Sequence, residues 1–150
     1  MAAKDKVRLR ITTPNVVKYV ADVDMVILRA TTGDIGIMAH HVPEAVILDD
    51  GVMRILNDGA EFRVAVFGGI AQVRNNRVTV VANEVQFPEE IDRAFAEMER
   101  ARIERRIKEN ADGLDIQRDQ VLMRRTLVQI EVSSYPLIGG RTMPPDIKDK

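Results

Sequence analysis

The chain has 150 residues, of which 45% are hydrophobic and 30% are charged. This length and composition are those of a globular protein with one or two small domains. The formal net charge is −1, so no overall positive field would attract nucleic acid or an anionic membrane. The sequence contains no cysteine, which excludes disulfides, thiolate metal sites and cysteine nucleophiles.

No segment approaches the roughly 20 consecutive apolar residues that a membrane-spanning helix needs. The first residues, Met1 to Lys6, also lack the apolar region of a secretory signal. We therefore expect a cytosolic chain with no direct membrane insertion. Any association with a membrane is expected to arise through a partner protein.

The first half of the chain has the period of two that is typical of β-strands. Apolar and polar residues alternate from Val7 to Thr12, and similar short runs follow. Asp58-Gly59 and Asn75-Asn76 each separate two such runs and predict tight hairpin turns. Gly68-Gly69 predicts a bend or a close backbone approach. Residues 1–87 are therefore predicted to form an antiparallel β-sandwich or barrel.

The second half, residues 88–132, has a helical period. Pro88 suits the first turn of a helix, and Ile91, Phe95 and Met98 recur at the spacing of one helix face. A break is predicted at residues 110–113. A second helix is then expected from about Asp115 to Val132, and its predicted apolar side consists of Leu122, Met123, Leu127 and Ile130. This pattern predicts an antiparallel two-helix hairpin.

The last stretch, residues 133–150, is rich in proline and glycine. It contains Pro136, Gly139-Gly140 and Pro144-Pro145. These residues do not suit a helix or a central strand, so we predict a flexible tail.

The sequence offers little catalytic chemistry. His40 and His41 are adjacent and would point to opposite sides of extended backbone, so they would not bind one metal ion together. Neither a nucleophile elbow nor a phosphate-binding loop is present. The arginines of the two helices are interleaved with acids, and aromatic residues make up only 4% of the chain. This pattern favours a solvated, ion-paired helix face over a nucleic-acid surface.

Four segments, in this order and spacing, resemble the epsilon subunit of F-type ATP synthases. The first is a strand from Gly33 to Ile37 that leads into a corner with His41 and Pro43. The others are the stretch 67–73 with its paired glycines, the strand 78–82, and Ile91-Asp92 followed by a helix rich in Glu and Arg. The resemblance covers about residues 7 to 132 and implies the same fold as the periodicity does.

This resemblance implies a non-catalytic subunit of the rotor. The sandwich would dock on the gamma subunit and on the polar loops of the c-ring, at the cytoplasmic face of the inner (plasma) membrane. The family positions that face the ring correspond to Asp34 and His41. The segment from Met38 to His40 departs from the family pattern, so a differently shaped loop is expected there.

The resemblance also implies that the helical hairpin is a regulatory element with two positions. Folded against the sandwich, it would permit ATP hydrolysis. Extended along gamma, it would bring basic residues to the alpha and beta catalytic subunits and inhibit hydrolysis. Arg124 and Arg125 are the residues we expect to make that contact.

Some members of this family bind ATP through the folded hairpin. Of the residues that this would require, Asp92, Arg102 and Arg125 are present, whereas Phe95 and Gln129 replace two arginines. Since two of four cationic contacts are missing, we expect weak or absent ATP binding.

A second hypothesis is a free-standing β-sandwich adaptor with a helical protein-interaction hairpin, unconnected to ATP synthase. A stable complex with gamma separates the two hypotheses. An enzymatic function is disfavoured because no nucleophile, base and orienting group converge in the sequence.

Overall fold

A computed structural model describes residues 5–109, 115–135 and 143–147. Eight β-strands precede two α-helices, which confirms the predicted order of a sandwich followed by two helices. The strands are β1 (Val7–Thr12), β2 (Val17–Val23), β3 (Met25–Ala30), β4 (Gly33–Met38), β5 (Glu44–Leu48), β6 (Gly51–Asn57), β7 (Ala60–Arg74) and β8 (Arg77–Gln86). A 3-10 turn (Pro88–Glu90) leads into the helices, α1 (Arg93–Glu109) and α2 (Asp115–Ser134). The predicted break at residues 110–113 lies outside the described residues.

The strands are hydrogen-bonded in the order β2-β1-β8-β7-β5-β3-β4, and β6 pairs with both β3 and β7. All pairs are antiparallel except β1 with β8, which run parallel. The sequence predicts only antiparallel pairs. Its turn signals identify neighbours along the chain, whereas β1 and β8 are far apart in sequence and no turn signal specifies how they pair.

The predicted turns are confirmed. Asp58 and Gly59 both have positive φ, as do Asn75 and Asn76, which is the geometry of two-residue hairpin turns. At Gly69, a Cβ atom would lie 2.2 Å from the carbonyl oxygen of Val81, so only glycine fits. This is the point where β7 leaves β6, its partner up to Val66, and begins to pair with β5.

The core between the layers of the sandwich is apolar. Alternate residues of β1 point inward, so that Val7, Leu9 and Ile11 are fully buried. They pack with inward-facing side chains from the other strands, including Ile55 and Val64. Burial of this continuous apolar cluster is the main stabilising contribution to the domain.

The helix α2 lies between the sandwich and α1. A second apolar cluster joins Ala65 and Phe67 of β7 to Val128 and Val132 of α2. The predicted apolar side of α2 was wrong in part, because Leu122 and Leu127 are exposed instead. The face that is buried was not predicted because the polar residues Arg125 and Gln129 share it with the two valines.

The predicted apolar side of α1 was wrong in part, because Ile91 packs against the second apolar cluster but Phe95 and Met98 do not. Phe95 is 60% exposed and Met98 is 70% exposed, while Ala96 and Ile103 are buried. The helix therefore buries small and β-branched side chains and leaves two of its largest apolar ones at the surface.

The prediction of a flexible tail from residue 133 does not hold for the described part of that segment. Ser133 and Ser134 belong to α2. Residues 143–147 lie against β2, where the amide of Ile147 donates to the carbonyl oxygen of Val20 at 2.8 Å. The segment was misread because prolines exclude a helix but are compatible with extended chain at the edge of a sheet. Residues 136–142 and 148–150 lie outside the described residues.

Candidate functional site

The hairpin rests on the sandwich through one face of α2, which we call the docking face. It comprises Arg125, Val128, Gln129 and Val132, together with Tyr135, which directly follows the helix. Val128 and Val132 supply the apolar contact. Since these positions are three or four residues apart, they line one side of the helix. The polar members of this face each have a partner on the sandwich.

Arg125 is held by two groups of the sandwich. Its guanidinium forms an ion pair with Glu84 of β8. It also lies 4.0 Å from the ring centroid of Phe67, in the geometry of a cation–π contact. One turn further on, the Gln129 amide donates to Gln86 Oε1 at 2.8 Å.

Arg63 connects the C-terminal end of α2 to the sandwich. Its Nη1 donates to Glu131 Oε1 at 3.0 Å, and its Nε donates to Glu61 Oε2 at 3.1 Å. The guanidinium also lies 4.0 Å from the ring centroid of Tyr135. One arginine of β7 thus contacts two residues at the end of the hairpin.

Glu61 is the acid around which these contacts are arranged. Arg54 Nε donates to its Oε1 at 2.9 Å, and Arg63 donates to its other oxygen. Desolvation acts to raise the pKa of this carboxyl group, but hydrogen bonds from Arg54, Arg63 and Tyr135 outweigh it and hold the pKa below its usual value.

The two helices are joined by a partly buried ion pair. Arg106 Nη2 of α1 lies 3.1 Å from Asp119 Oδ1 of α2, and the Asp119 side chain is only 11% exposed. Together with the buried Ile103, this pair fixes α1 on α2.

The structure does not bring Asp34 and His41 together. Asp34 lies near the start of β4, where it accepts a hydrogen bond from Arg29 Nη1 at 3.2 Å. His41 follows the other end of that strand, and its Nδ1 lies 2.7 Å from the carbonyl oxygen of Val42. Asp34 and Met38, the last residue of the strand, are four residue steps apart, which is about 13 Å. The two residues mark opposite ends of an edge strand.

Arg124 faces a different surface from its neighbour Arg125. It lines an open groove of about 610 Å³ between the sandwich and α2. Asp34 also lines this groove, together with Arg29, Arg54, Arg63 and Glu131. The groove therefore carries charges of both signs.

Asp92, Arg102 and Arg125, which the family resemblance assigns to a nucleotide site, each already contact another group of this chain. The Asp92 carboxylate accepts a hydrogen bond from the Phe95 amide at 3.0 Å, as an N-terminal cap of α1 does. Arg102 is exposed and pairs with Glu99 of its own helix. Arg125 is engaged by Glu84 and Phe67.

One exposed apolar surface is not predicted by the sequence patterns. Ile47, Ile70 and Val81 are paired directly across β5, β7 and β8, and they are 64%, 53% and 44% exposed. We call these three residues the apolar row. Along β7, the residues that contact the docking face precede the Gly68-Gly69 bend, and the apolar row follows it. Each member is an outward-facing residue of a strand in which apolar and polar residues alternate. Only the register between β5, β7 and β8 shows that the three residues are neighbours.

Within the described ranges, no group of three or more His, Cys, Asp or Glu side chains is placed to hold a metal ion. Over the same residues, no helix is long and apolar enough to cross a membrane.

Comparison with known proteins gives the family. The profile described as "ATP synthase, Delta/Epsilon chain, beta-sandwich domain" matches residues 6–88. The ATP synthase epsilon chain of Bacillus subtilis (strain 168) is 37% identical over 127 residues, which is 85% of this chain and 96% of that protein. The epsilon chain of Pelotomaculum thermopropionicum is 42% identical over 100 residues, covering 67% of this chain and 75% of the relative.

A chain in the cryo-EM structure of the Euglena gracilis mitochondrial ATP synthase has the same fold. The TM-score is 0.74 at 17% identity, covering 90% of this chain and 85% of that one. The matched sandwich profile and the extent of the similarity to epsilon chains lead to one conclusion: this chain belongs to the epsilon chain family of ATP synthase, as a non-catalytic subunit.

Proposed function

We propose that this chain is a central-stalk subunit of an F-type ATP synthase, bound peripherally at the cytoplasmic face of the membrane. It would couple rotation of the c-ring to ATP synthesis through the gamma subunit. The observation that carries this proposal is the 37% identity with an ATP synthase epsilon chain over 96% of that protein's length. Solved proteins of this fold come from ATP synthase assemblies described as F1/c-ring and central stalk/c-ring.

The apolar row is the surface we assign to gamma. Contiguous apolar surface that is left exposed often marks a site of protein–protein interaction. Ile47, Ile70 and Val81 form such a surface on a rigid part of the sandwich. Because the hairpin rests on another part of β7, gamma can occupy the row while the hairpin stays docked.

We assign the edge strand β4 to the polar loops of the c-ring. Asp34, near the start of the strand, has an exposed carboxylate, while His41 follows the other end with a side chain that is 21% exposed and an Nε2 that lies 3.8 Å from Glu44 Oε2. Because about 13 Å of strand lies between Asp34 and Met38, where the turn to His41 begins, the two residues would contact different loops rather than form one site.

The hairpin would act as a regulatory element of the complex. Arg125 is occupied by Glu84 and Phe67 while α2 is docked, so undocking would release its charge. Arg124 already faces the groove. Extended toward the catalytic alpha and beta subunits, these two arginines would make the inhibitory contact. The exposed Phe95 and Met98 would give α1 an apolar contact there.

ATP binding by the hairpin is weak or absent in this proposal. Arg102 and Arg125 would each have to leave an acidic partner, and Phe95 supplies no positive charge. Isothermal titration of the isolated chain with ATP is expected to show no micromolar affinity, and a micromolar dissociation constant would contradict this.

Titration of the full chain against the gamma subunit of the same organism tests the main proposal. We expect a stable complex. Ile70→Asp should weaken it by at least about tenfold, because a desolvated charge would be placed in the apolar row. Val121→Asp changes an equally exposed residue on α2 and should leave the affinity within about twofold. Absence of binding by the wild-type chain would contradict the function, and full binding by Ile70→Asp would contradict the assigned surface.

A further inference from the structure

Residues 143–147, which we call the C-terminal strap, are fixed to the edge strand β2. The amide of Val20 donates to Asp146 Oδ1 at 3.1 Å, and the carbonyl oxygen of Val20 accepts from the Ile147 amide. The Tyr19 hydroxyl donates to the carbonyl oxygen of Pro144 at 2.5 Å. Both outward-facing backbone groups of Val20 are therefore satisfied by the strap.

Side chains add to this attachment. Met143 packs against the sandwich core. The Tyr19 ring lies 6.1 Å from that of Phe87 in an edge-to-face arrangement, which orients its hydroxyl. Burial, followed by the Asp146 carboxylate, raises the pKa of Tyr19, so its hydroxyl stays protonated and remains a donor.

The strap begins beside the foot of the hairpin. Met143 lines a small cavity of about 220 Å³ together with Pro88, which precedes α1, and Tyr135, which follows α2. The start of the strap and the root of the hairpin are therefore close in space. If Tyr135 moves far from Pro88, it therefore also moves far from Met143.

The covalent length of the chain limits that displacement. Seven residues connect Tyr135 to Met143, and the eight Cα–Cα steps between the two span at most about 29 Å in fully extended chain. The helices α1 and α2, with 17 and 20 residues, are about 25 Å and 30 Å long. Drawn out end to end, they would carry Tyr135 about 55 Å from the start of α1. Full extension is thus incompatible with an attached strap.

We propose that the C-terminal strap restrains the hairpin in its docked position, and that full extension requires residues 143–147 to leave β2. This inference rests on the proposed function, in which the hairpin has a docked and an extended position. The strap permits small movements of α2 and opposes large ones, because a tethered helix has fewer undocked arrangements available than a free one.

The test uses the absence of cysteine in the natural chain. Val128→Cys places one thiol in the docking face, at a residue that is 8% exposed. Its rate of reaction with a thiol reagent reports how often α2 undocks. In a chain ending at residue 142, we expect this rate to rise at least about fivefold. A chain ending at Ile147 keeps the strap and should react within about twofold of the full chain.

Two further measurements identify the cause. Val64→Cys, in the sandwich core, reports global unfolding and should react equally slowly with and without the strap. Asp146→Ala removes the acceptor of the Val20 amide. It should raise both the reaction rate of the thiol at position 128 and the hydrogen exchange of that amide, by a smaller factor than removal of the strap.

An unchanged reaction rate of the thiol at position 128 after removal of the strap would overturn the proposal, as would equal acceleration on removing only residues 148–150. A parallel increase for the thiol at position 64 would show general destabilisation and would also overturn it. These readouts use the isolated chain, so they are independent of gamma binding. Failure of the proposed function would appear in the gamma titration instead.

Discussion

The sandwich and the hairpin are held in place by different kinds of contact. In the sandwich, alternating strands bury a continuous apolar cluster. In the hairpin, Val128 and Val132 meet the outside of β7, and charged or amide side chains make most of the surrounding contacts. The buried polar residues of the described ranges, Asp119 and Thr126, both belong to α2.

This difference in contacts indicates which of the two regions can move at the lower free-energy cost. A large apolar interior loses much burial energy on opening, so the sandwich should behave as one rigid unit. A small apolar contact surrounded by solvent-accessible ion pairs can separate at a modest free-energy cost, because water and salt replace the polar contacts. The sandwich is therefore the platform, and the hairpin is the removable element.

The largest effect is expected in the sandwich core. Ile55→Ala should lower the free energy of unfolding by about 2–5 kcal/mol, because Ile55 is fully buried and its truncation leaves a cavity. Urea denaturation followed by circular dichroism measures this change. Ile47→Ala removes an equally large but exposed side chain and should change the same quantity by less than about 0.5 kcal/mol. Equal effects would refute the assignment of the core.

A smaller and more local effect is expected in the docking face. Val132→Ala should weaken docking of α2 by about 1–3 kcal/mol, since it removes half of the apolar contact from the helix side. The reactivity of a thiol at position 128 should rise accordingly, while that of a thiol at position 64 should not. Leu127→Ala, on the exposed side of α2, is the matched control. A rise at both thiols would mean that the two regions open together.

The smallest effect concerns the pH dependence of the contacts around Glu61. Because its pKa is lower in the folded protein than the usual 4.5, its contribution to stability is present above about pH 4.5 and is lost as the pH falls through the folded pKa. Glu61→Gln should therefore reduce stability at pH 7 by up to about 1 kcal/mol and make little difference near pH 3. Urea denaturation at both values measures this.

The matched control for Glu61→Gln is Glu97→Gln. Glu97 forms an exposed ion pair with Arg93 within α1. Its replacement should have almost no effect at either pH, because exposed pairs contribute little. If the Glu61 variant showed the same loss of stability at pH 3 and pH 7, its contacts with Arg54 and Arg63 would not be the cause.

Much of the fold was predictable because local signals specify it. The two hairpin turns and the bend at Gly68-Gly69 follow from residues that accept positive φ. The parallel pairing of β1 with β8 and the burial of Val128 were not predictable, since they depend on which distant surfaces meet. Phe95 and Met98 have the correct helical spacing for a core, yet the small residue between them is the buried one.

The candidate site was predictable as a set of residues but not as an arrangement. The resemblance gave Asp34, His41 and Arg125, but only the structure shows that the first two lie apart and that Glu84 holds the third. The strap on β2 was missed because its backbone hydrogen bonds depend on tertiary position rather than on residue type.

In this proposal the sandwich binds the complex and the hairpin regulates it. The most direct test of these two roles is ATP hydrolysis by a catalytic α₃β₃γ complex with added full chain or with a chain ending at Phe87. We expect both forms to bind, because both carry the apolar row, and only the full chain to inhibit hydrolysis. Equal inhibition by both forms would contradict the assignment of regulation to the hairpin. Binding by neither form would contradict the central-stalk function itself.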